Sequence, residues 1–294
     1  MTVHGFAVVD KPAGMTSHDV VDRVRRRLGT RKVGHAGTLD PDVTGVLLLG
    51  VGQATRLLRF VVELPKTYAG RIVLGTETTT LDAAGEVTAR HDMAGVALPD
   101  VRAAAAGFIG DILQVPPMVS AISIGGRRLH ELARAGVEVE RPPRPVTVHR
   151  FDVLSEVEPG VFAVEVECSS GTYVRSLAAD LGRALGGGAS LGALRRTAVG
   201  PWSVAEATGV EALSLRPVRD AVAHLPGVVV DEEVAGLVAT GRRLAKSGPT
   251  VFAGDGPWAV VDGAGELLAV YESRDSLAVP AVVVPPAPGP AAGD

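Results

Sequence analysis

The run Val46-Leu47-Leu48-Leu49 has no polar interruption and reads as a buried strand. A strand of this kind has to lie inside a layered domain, which limits what the surrounding chain can fold into. Directly before it stands Gly34-His35-Ala36-Gly37-Thr38-Leu39-Asp40-Pro41, with Gly45 completing the approach. These glycines and the proline read as a turn that sets one carboxylate, Asp40, against a rigid element. Two readings are open at this point. Asp-Pro is a common N-cap and N1 pair, so Asp40 could simply cap a turn. Alternatively it is a positioned functional group, since function concentrates on such loops.

Composition narrows the class. With 46% hydrophobic residues in 294, the chain can bury a sizeable core and has room for one large domain plus a small one. Aromatic residues make up only 4%, so individual tyrosines carry more weight. Cys168 is the only cysteine, which excludes an internal disulfide and a cysteine-built zinc site; the seven histidines show no metal-ligand spacing. No metal and no cofactor are expected. No window has the apolar length of a membrane span, and the first residues lack the pattern of a signal peptide, so no membrane is expected and the cytoplasm is the expected compartment.

The net charge of −4 hides a marked asymmetry. Residues 1–60 carry nine Lys/Arg against five Asp/Glu, whereas residues 231–294 carry four against nine. Basic clusters stand at Arg23, Arg25, Arg26, Arg27, Arg31 and Lys32, and at Arg127, Arg128, Arg134, Arg141 and Arg144. Local clusters make a phosphate footprint, although each alone also fits a solvated helix face.

Along the chain, Phe6–Val9 reads as a strand closed by the turn 10–14. Ser17 is placed to cap a helix with the apolar stripe Val20, Val21, Val24 and Leu28, ended by Gly29. A helix is expected near Ala54–Leu64, a strand over Thr67–Leu74, a polar loop over Gly75–Gly85, and a helix over Pro99–Gly110. Residues 114–146, rich in Pro, Gly and Arg with a helix over Leu129–Ala135, read as a mobile basic flap. Strands follow over Val146–Leu154 and Val161–Cys168, then a helix over Tyr173–Leu185. Strand signals at Trp258–Val261 and Leu267–Tyr271 suit a small β-barrel. The expected division is a first domain over 1–226, a small β domain over 227–284 and a disordered tail over 285–294.

Four separated segments fit one pattern together: Gly34–Asp40 with Pro41 and Gly45; Lys66-Thr67-Tyr68; Gln114-Val115-Pro116-Pro117-Met118-Val119-Ser120-Ala121; and Cys168-Ser169-Ser170-Gly171-Thr172-Tyr173-Val174-Arg175. Lys11-Pro12 with Gly14 fits as well. In order and spacing the chain resembles the TruB family of bacterial tRNA pseudouridine synthases over roughly residues 5–220. It departs from the family pattern at Val119, Ser123 and His130, which bears on flap contacts and not on the reaction.

The resemblance implies an α+β (mixed α/β) catalytic domain with an antiparallel central sheet, followed by a PUA-like β-barrel. It implies isomerisation of the T-loop uridine at tRNA position 55, with tRNA as partner; a monomer is expected. It makes Asp40 the catalytic carboxylate and Arg175 its pairing cation, since such a pair keeps an acid charged and directed. Tyr68 takes the position that stacks on the base, Tyr173 and Leu194 line the pocket, and His35 fills the space left by the extruded base. Lys11 and Pro12 are expected to shape the floor, and Arg127, Arg128, Arg141 and Arg144 to contact phosphates. A non-catalytic tRNA-binding protein would not need the set Asp40, Tyr68, Tyr173 and Arg175. A guide-RNA-dependent synthase fits the basic insertion and weak terminal barrel less well. A glycoside hydrolase would need two carboxylates at a set distance.

Overall fold

A computed structural model describes residues 3–285 apart from 121, 122, 125, 136, 138, 248 and 249. The expected tail lies, past Pro285, outside the described residues. The principal elements are β1 (Gly5–Lys11), α1 (Ser17–Leu28), β2 (Val33–Ala36), β3 (Thr44–Val51), β4 (Lys66–Leu74), α2 (Leu98–Ala106), β5 (Gly110–Gln114), β6 (Arg144–Glu158), β7 (Val161–Cys168), α3 (Val174–Ala184) and β8 (Ala189–Val199). They build one ten-stranded sheet in the order Thr208–Gly209, β1, β3, β8, β4, β7, β6, β5, with β2 on β3 and Trp202–Ser203 on β8. The expected mixed α/β class holds, and most pairings are antiparallel. Two are parallel: β3 with β8, and β1 with Thr208–Gly209.

The apolar run in β3 is buried on both faces by two different layers. Leu47 and Leu49 join Ala7 and Val9 of β1 against Val20, Val21 and Val24 of α1. Val46 and Leu48 face the other way, with Phe6 and Val8, onto Leu57, Leu58, Val61 and Trp202. A third core spans the far half of the sheet, where Ile72, Phe151, Phe162, Val164 and Val166 pack under Leu177 and Leu181 of α3 and Val101 of α2. On β7 burial alternates strictly, as the Val/Phe and Ala/Glu pattern requires.

Several local expectations shift. Thr16, not Ser17, caps α1, in a reciprocal arrangement with Asp19; Ser17 is buried instead. The helix near Ala54–Leu64 is two tight pieces, a 3-10 turn Gly52–Arg56 and a short helix Arg59–Val62, because burying Leu57, Leu58 and Val61 does not need a regular helix. Within the polar loop, Thr76–Thr78 pairs with Val87–Arg90. Strands β5 and β8 have no counterpart in the sequence reading.

Residues beyond 226 form a five-stranded sheet, Gly227–Val229, Trp258–Val261, Leu267–Arg274, Leu277–Val283 and Leu244–Ala245, curled into the half-barrel of a PUA-like domain. Its two faces differ. Trp258, Val260 and Tyr271 pack with Phe252 and Val238 into a core of their own. Ala259, Leu267, Val270, Val282 and Val284 join the Phe6–Trp202 core of the large sheet. Arg59 pairs with Glu272 across this junction at 3.0 Å. Among the described residues no helix is long and apolar enough to cross a membrane.

Candidate active site

The Asp40 loop joins β2 to β3, and no helix follows Pro41, so the carboxylate does not serve as a helix cap. The two outer glycines lie within strands, Gly34 in β2 and Gly45 in β3. Gly45 has φ +104°, and a Cβ there would stand 2.1 Å from the Arg196 carbonyl oxygen, so only glycine lets β3 meet β8 at this point. The loop is pinned throughout its length. The backbone N–H of Leu39 donates to Ser17 Oγ at 2.8 Å, the Gly14 N–H donates to the Pro41 carbonyl at 3.1 Å, and Val43 N–H closes onto the Asp40 carbonyl at 3.1 Å.

Lys11 is fully buried and donates to three carbonyls, Pro12 at 2.9 Å, Met15 at 2.6 Å and Pro41 at 2.9 Å. Burial pushes its ammonium below the usual lysine range, against the pull of Asp42 and Asp40. It holds the residue that follows Asp40 onto the end of β1, with Pro12 exposed beside it. Lys11→Met is expected to cost about 3 kcal/mol of unfolding free energy, because three buried carbonyls lose a charged donor. Denaturant unfolding checks it; a loss below about 1 kcal/mol would show that water replaces the ammonium.

Asp40 leaves 46% of its side chain open, and its Oδ2 lies 2.9 Å from Nη2 of Arg175, which is only 6% exposed. The same guanidinium donates to the carbonyls of Thr80 and Val119, each at 2.9 Å, and its Nε lies 3.5 Å from Asp82 Oδ2. One buried cation thus joins the Asp40 loop, the Thr80–Asp82 turn and the insertion. Arg175 sits in the first turn of α3, whose start is clamped by Gln114: its Oε1 accepts from Tyr173 N–H at 2.8 Å, and its Nε2 donates to the Tyr173 carbonyl at 3.1 Å.

In front of Asp40 opens a cavity of about 680 Å³. Tyr68, Tyr173, Leu194 and His35 line it, together with Lys66 and Arg196. Tyr68 on β4 is the cross-strand neighbour of Arg196 on β8. Burial raises its phenol pKa, with the Arg196 guanidinium working against that. Leu194 stands two residues before Arg196, so both face the cavity. Their strand is locked by Arg195, whose guanidinium grips Asp10 of β1 at 2.7 and 3.0 Å. His35 lies on β2 rather than in a loop, and its Nδ1 is buried without a hydrogen-bond partner. Burial, then Arg196 and His18, push its pKa below the ordinary imidazole value and so favour the neutral ring.

A family model described as TruB family pseudouridylate synthase (N terminal domain) matches residues 25–174, and one described as tRNA pseudouridylate synthase B C-terminal domain matches residues 175–224. The chain belongs to the TruB family. It is thereby a pseudouridine synthase, an isomerase. The tRNA pseudouridine synthase B of Arthrobacter sp. (strain FB24) is 46% identical over 296 residues, covering 96% of this chain and 97% of its own. That of Rhodococcus jostii (strain RHA1) is 48% identical over 293 residues, covering 96% and 94%. A chain in the crystal structure of a Cbf5-Nop10-Gar1 complex superposes with a TM-score of 0.74 at 28% identity, over 96% of this chain and 85% of that one. A chain in the structure of an H/ACA RNP bound to a substrate RNA containing 2'-deoxyuridine gives 0.71 at 25% identity, over 96% and 85%.

Within this TruB chain the insertion's described residues form a strand pair, Ser123–Ile124 with Arg127–Arg128, and a helix Leu129–Arg134 that buries Leu129 and Leu132. Arg141 donates to the Pro116 carbonyl at 3.0 Å and ties the two ends of the insertion together. Arg127 and Arg144 are exposed; the side chain of Arg128 lies outside the described residues. On α1, Arg23 pairs with Glu211 at 3.0 Å and Arg25 with Asp22 at 3.0 Å, so part of that basic face is used internally. Sequence reasoning missed three residues of the site. Asp82 carried no signal beyond a polar loop. Lys66 stood inside a quoted motif, and Arg196 beside a named residue, without either being given a role.

Proposed function

We propose that this enzyme isomerises uridine 55 in the T loop of tRNA to pseudouridine, with Asp40 as the catalytic carboxylate. The observation that carries the proposal is the half-open Asp40 carboxylate, fixed at 2.9 Å by a buried Arg175 at the head of the cavity that Tyr68 lines. A protein that only bound tRNA would gain nothing from a buried guanidinium held at four acceptors behind an open acid.

In this reading the target nucleotide leaves the T-loop stack and enters the cavity. Asp40 then either attacks C1′ or takes the C2′ proton as the N1–C1′ bond breaks; both routes need the charged acid close to the ribose. Tyr68 supplies an aromatic face for the freed base, Tyr173 and Leu194 bound it, and His35 occupies the gap left in the loop. Arg127, Arg141 and Arg144 lie on the insertion that would cover the RNA. The names of the relatives, tRNA pseudouridine synthase B, support tRNA as the substrate.

The test is incubation of the purified protein alone with an unmodified tRNA transcript, followed by carbodiimide mapping. One new pseudouridine at position 55 is expected; modification elsewhere would overturn the site, and dependence on an added RNA would favour a guided enzyme. Tyr68→Leu keeps apolar volume and removes the stacking face, worth about 1–3 kcal/mol. A roughly 10- to 100-fold slower single turnover is expected with little change in melting temperature. A variant that melts early but is fully active when folded would reduce Tyr68 to a packing residue.

A further inference from the structure

Two cations in the cavity wall stand apart from the Asp40–Arg175–Asp82 chain. Lys66 is 5% exposed and Arg196 1% exposed, and both line the cavity. Arg196 donates to the carbonyls of Val46 at 2.7 Å and Gly37 at 2.9 Å, and Lys66 donates to the carbonyl of Val62. Among the described residues neither makes an ion pair. These carbonyls take up part of their N–H groups, yet two desolvated positive charges remain, and such charges are costly unless something of opposite sign arrives. Their placement follows from the sheet. Lys66 and Tyr68 stand two apart on β4 and share a face, and Tyr68 is opposite Arg196 on β8, so the cations stand beside the ring that the proposed function assigns to the base.

The reaction generates the missing anion. When N1–C1′ breaks, its electron pair goes to N1 and the base becomes uracilate, with charge spread over N1, O2 and O4. C1′ either bonds to an Asp40 oxygen or, after the C2′ proton passes to Asp40, forms a double bond to C2′. Rejoining through C5 frees the carboxylate or returns the proton to C2′; the C5 proton then leaves and N1 takes one up. The negative charge on the base exists only between these events.

We propose that Lys66 and Arg196 are the fixed counter-charge for this uracilate, a role that rests on the function proposed above. Charges set in advance where charge develops stabilise it without reorganisation. Burial, aided by Arg196, lowers the Lys66 ammonium to about 8, while Glu63 after the Arg59–Val62 helix and Cys168 on β7 oppose the fall. Burial lifts the Cys168 thiol to about 11, so it is neutral where Lys66 titrates. The cationic form of Lys66 is present below its pKa and lost above it.

The experiment follows loss of the target N-glycoside in single turnover on a T-arm RNA carrying uridine or 5-fluorouridine. Fluorine withdraws electrons, so the fluorinated base leaves as a weaker base and needs less help. Lys66→Met is expected to slow uridine on the order of a hundredfold and 5-fluorouridine less than about tenfold. Lys66→Arg should recover most of the loss, and should remove the fall in rate expected of the native enzyme as pH rises through about 8. Equal losses on the two RNAs, or no loss, would overturn the proposal. Should Lys66→Met fail to fold, the pH profile of Lys66→Arg decides, and a fall left unmoved counts against it. A native enzyme inactive on the uridine RNA would instead remove the function on which this rests, a distinct outcome.

Discussion

Asp40→Asn is expected to slow single-turnover pseudouridine formation by roughly 10³-fold or more while leaving tRNA affinity within a few-fold. Asparagine keeps the shape of the side chain and can still meet the Arg175 guanidinium, so the loop should stay in place. It lacks the charge that either route at C1′ requires. The loop is held mainly by groups outside the side chain, Ser17 on Leu39 and Lys11 and Gly14 on Pro41, so melting should hardly change. Rate and binding are read on the same T-arm RNA. A variant retaining a tenth of the native rate would return Asp40 to the status of a loop residue.

Arg175→Met should damage both stability and turnover. Removing the guanidinium leaves Asp82 and Asp40 without their cation and the Thr80 and Val119 carbonyls without a donor. The two carbonyls and the partly buried Asp82 carry most of the loss, about 2–4 kcal/mol, and the half-open Asp40 adds little because water screens it. Turnover should fall roughly 10³-fold even in the folded fraction, because the acid loses its fixed direction. Arg175→Lys separates the two effects: a single ammonium cannot reach four acceptors in three directions, so it should recover stability in part and rate very little. Equal recovery of both would mean that charge alone matters there.

The parts of this molecule that follow an apolar period were legible in the sequence. The stripe Val20, Val21, Val24 placed α1, and the run in β3 announced two-sided burial that two separate cores supply. Strand β8 was illegible for a physical reason: its inward positions near the site are Leu194 and Arg196, so a buried arginine breaks the alternation that marks a strand. Arg196 is tolerated there because carbonyls of the Asp40 loop and of β3 accept its protons, a fact of tertiary structure with no trace in local spacing. Asp82 was hidden likewise, since its importance lies in reaching a guanidinium 93 positions away. Asp40 and Arg175 were legible only through the resemblance; composition and spacing left the acid as a plausible cap.

The junction at the terminal sheet bears on how the protein is made. Phe6, in the first strand, shares its core with Val282 and Val284, near the end of the described chain. At roughly 5–20 residues per second, synthesis of the stretch between them takes about 15–55 s. Throughout that interval the face formed by Phe6, Val8, Val46 and Leu48 lacks the part of its cover that the last strands bring. The nascent enzyme therefore carries sticky, half-dressed surface until the terminal sheet emerges, and a ribosome that stalls after residue 196 would hold every residue lining the candidate site on a core still missing Val282 and Val284.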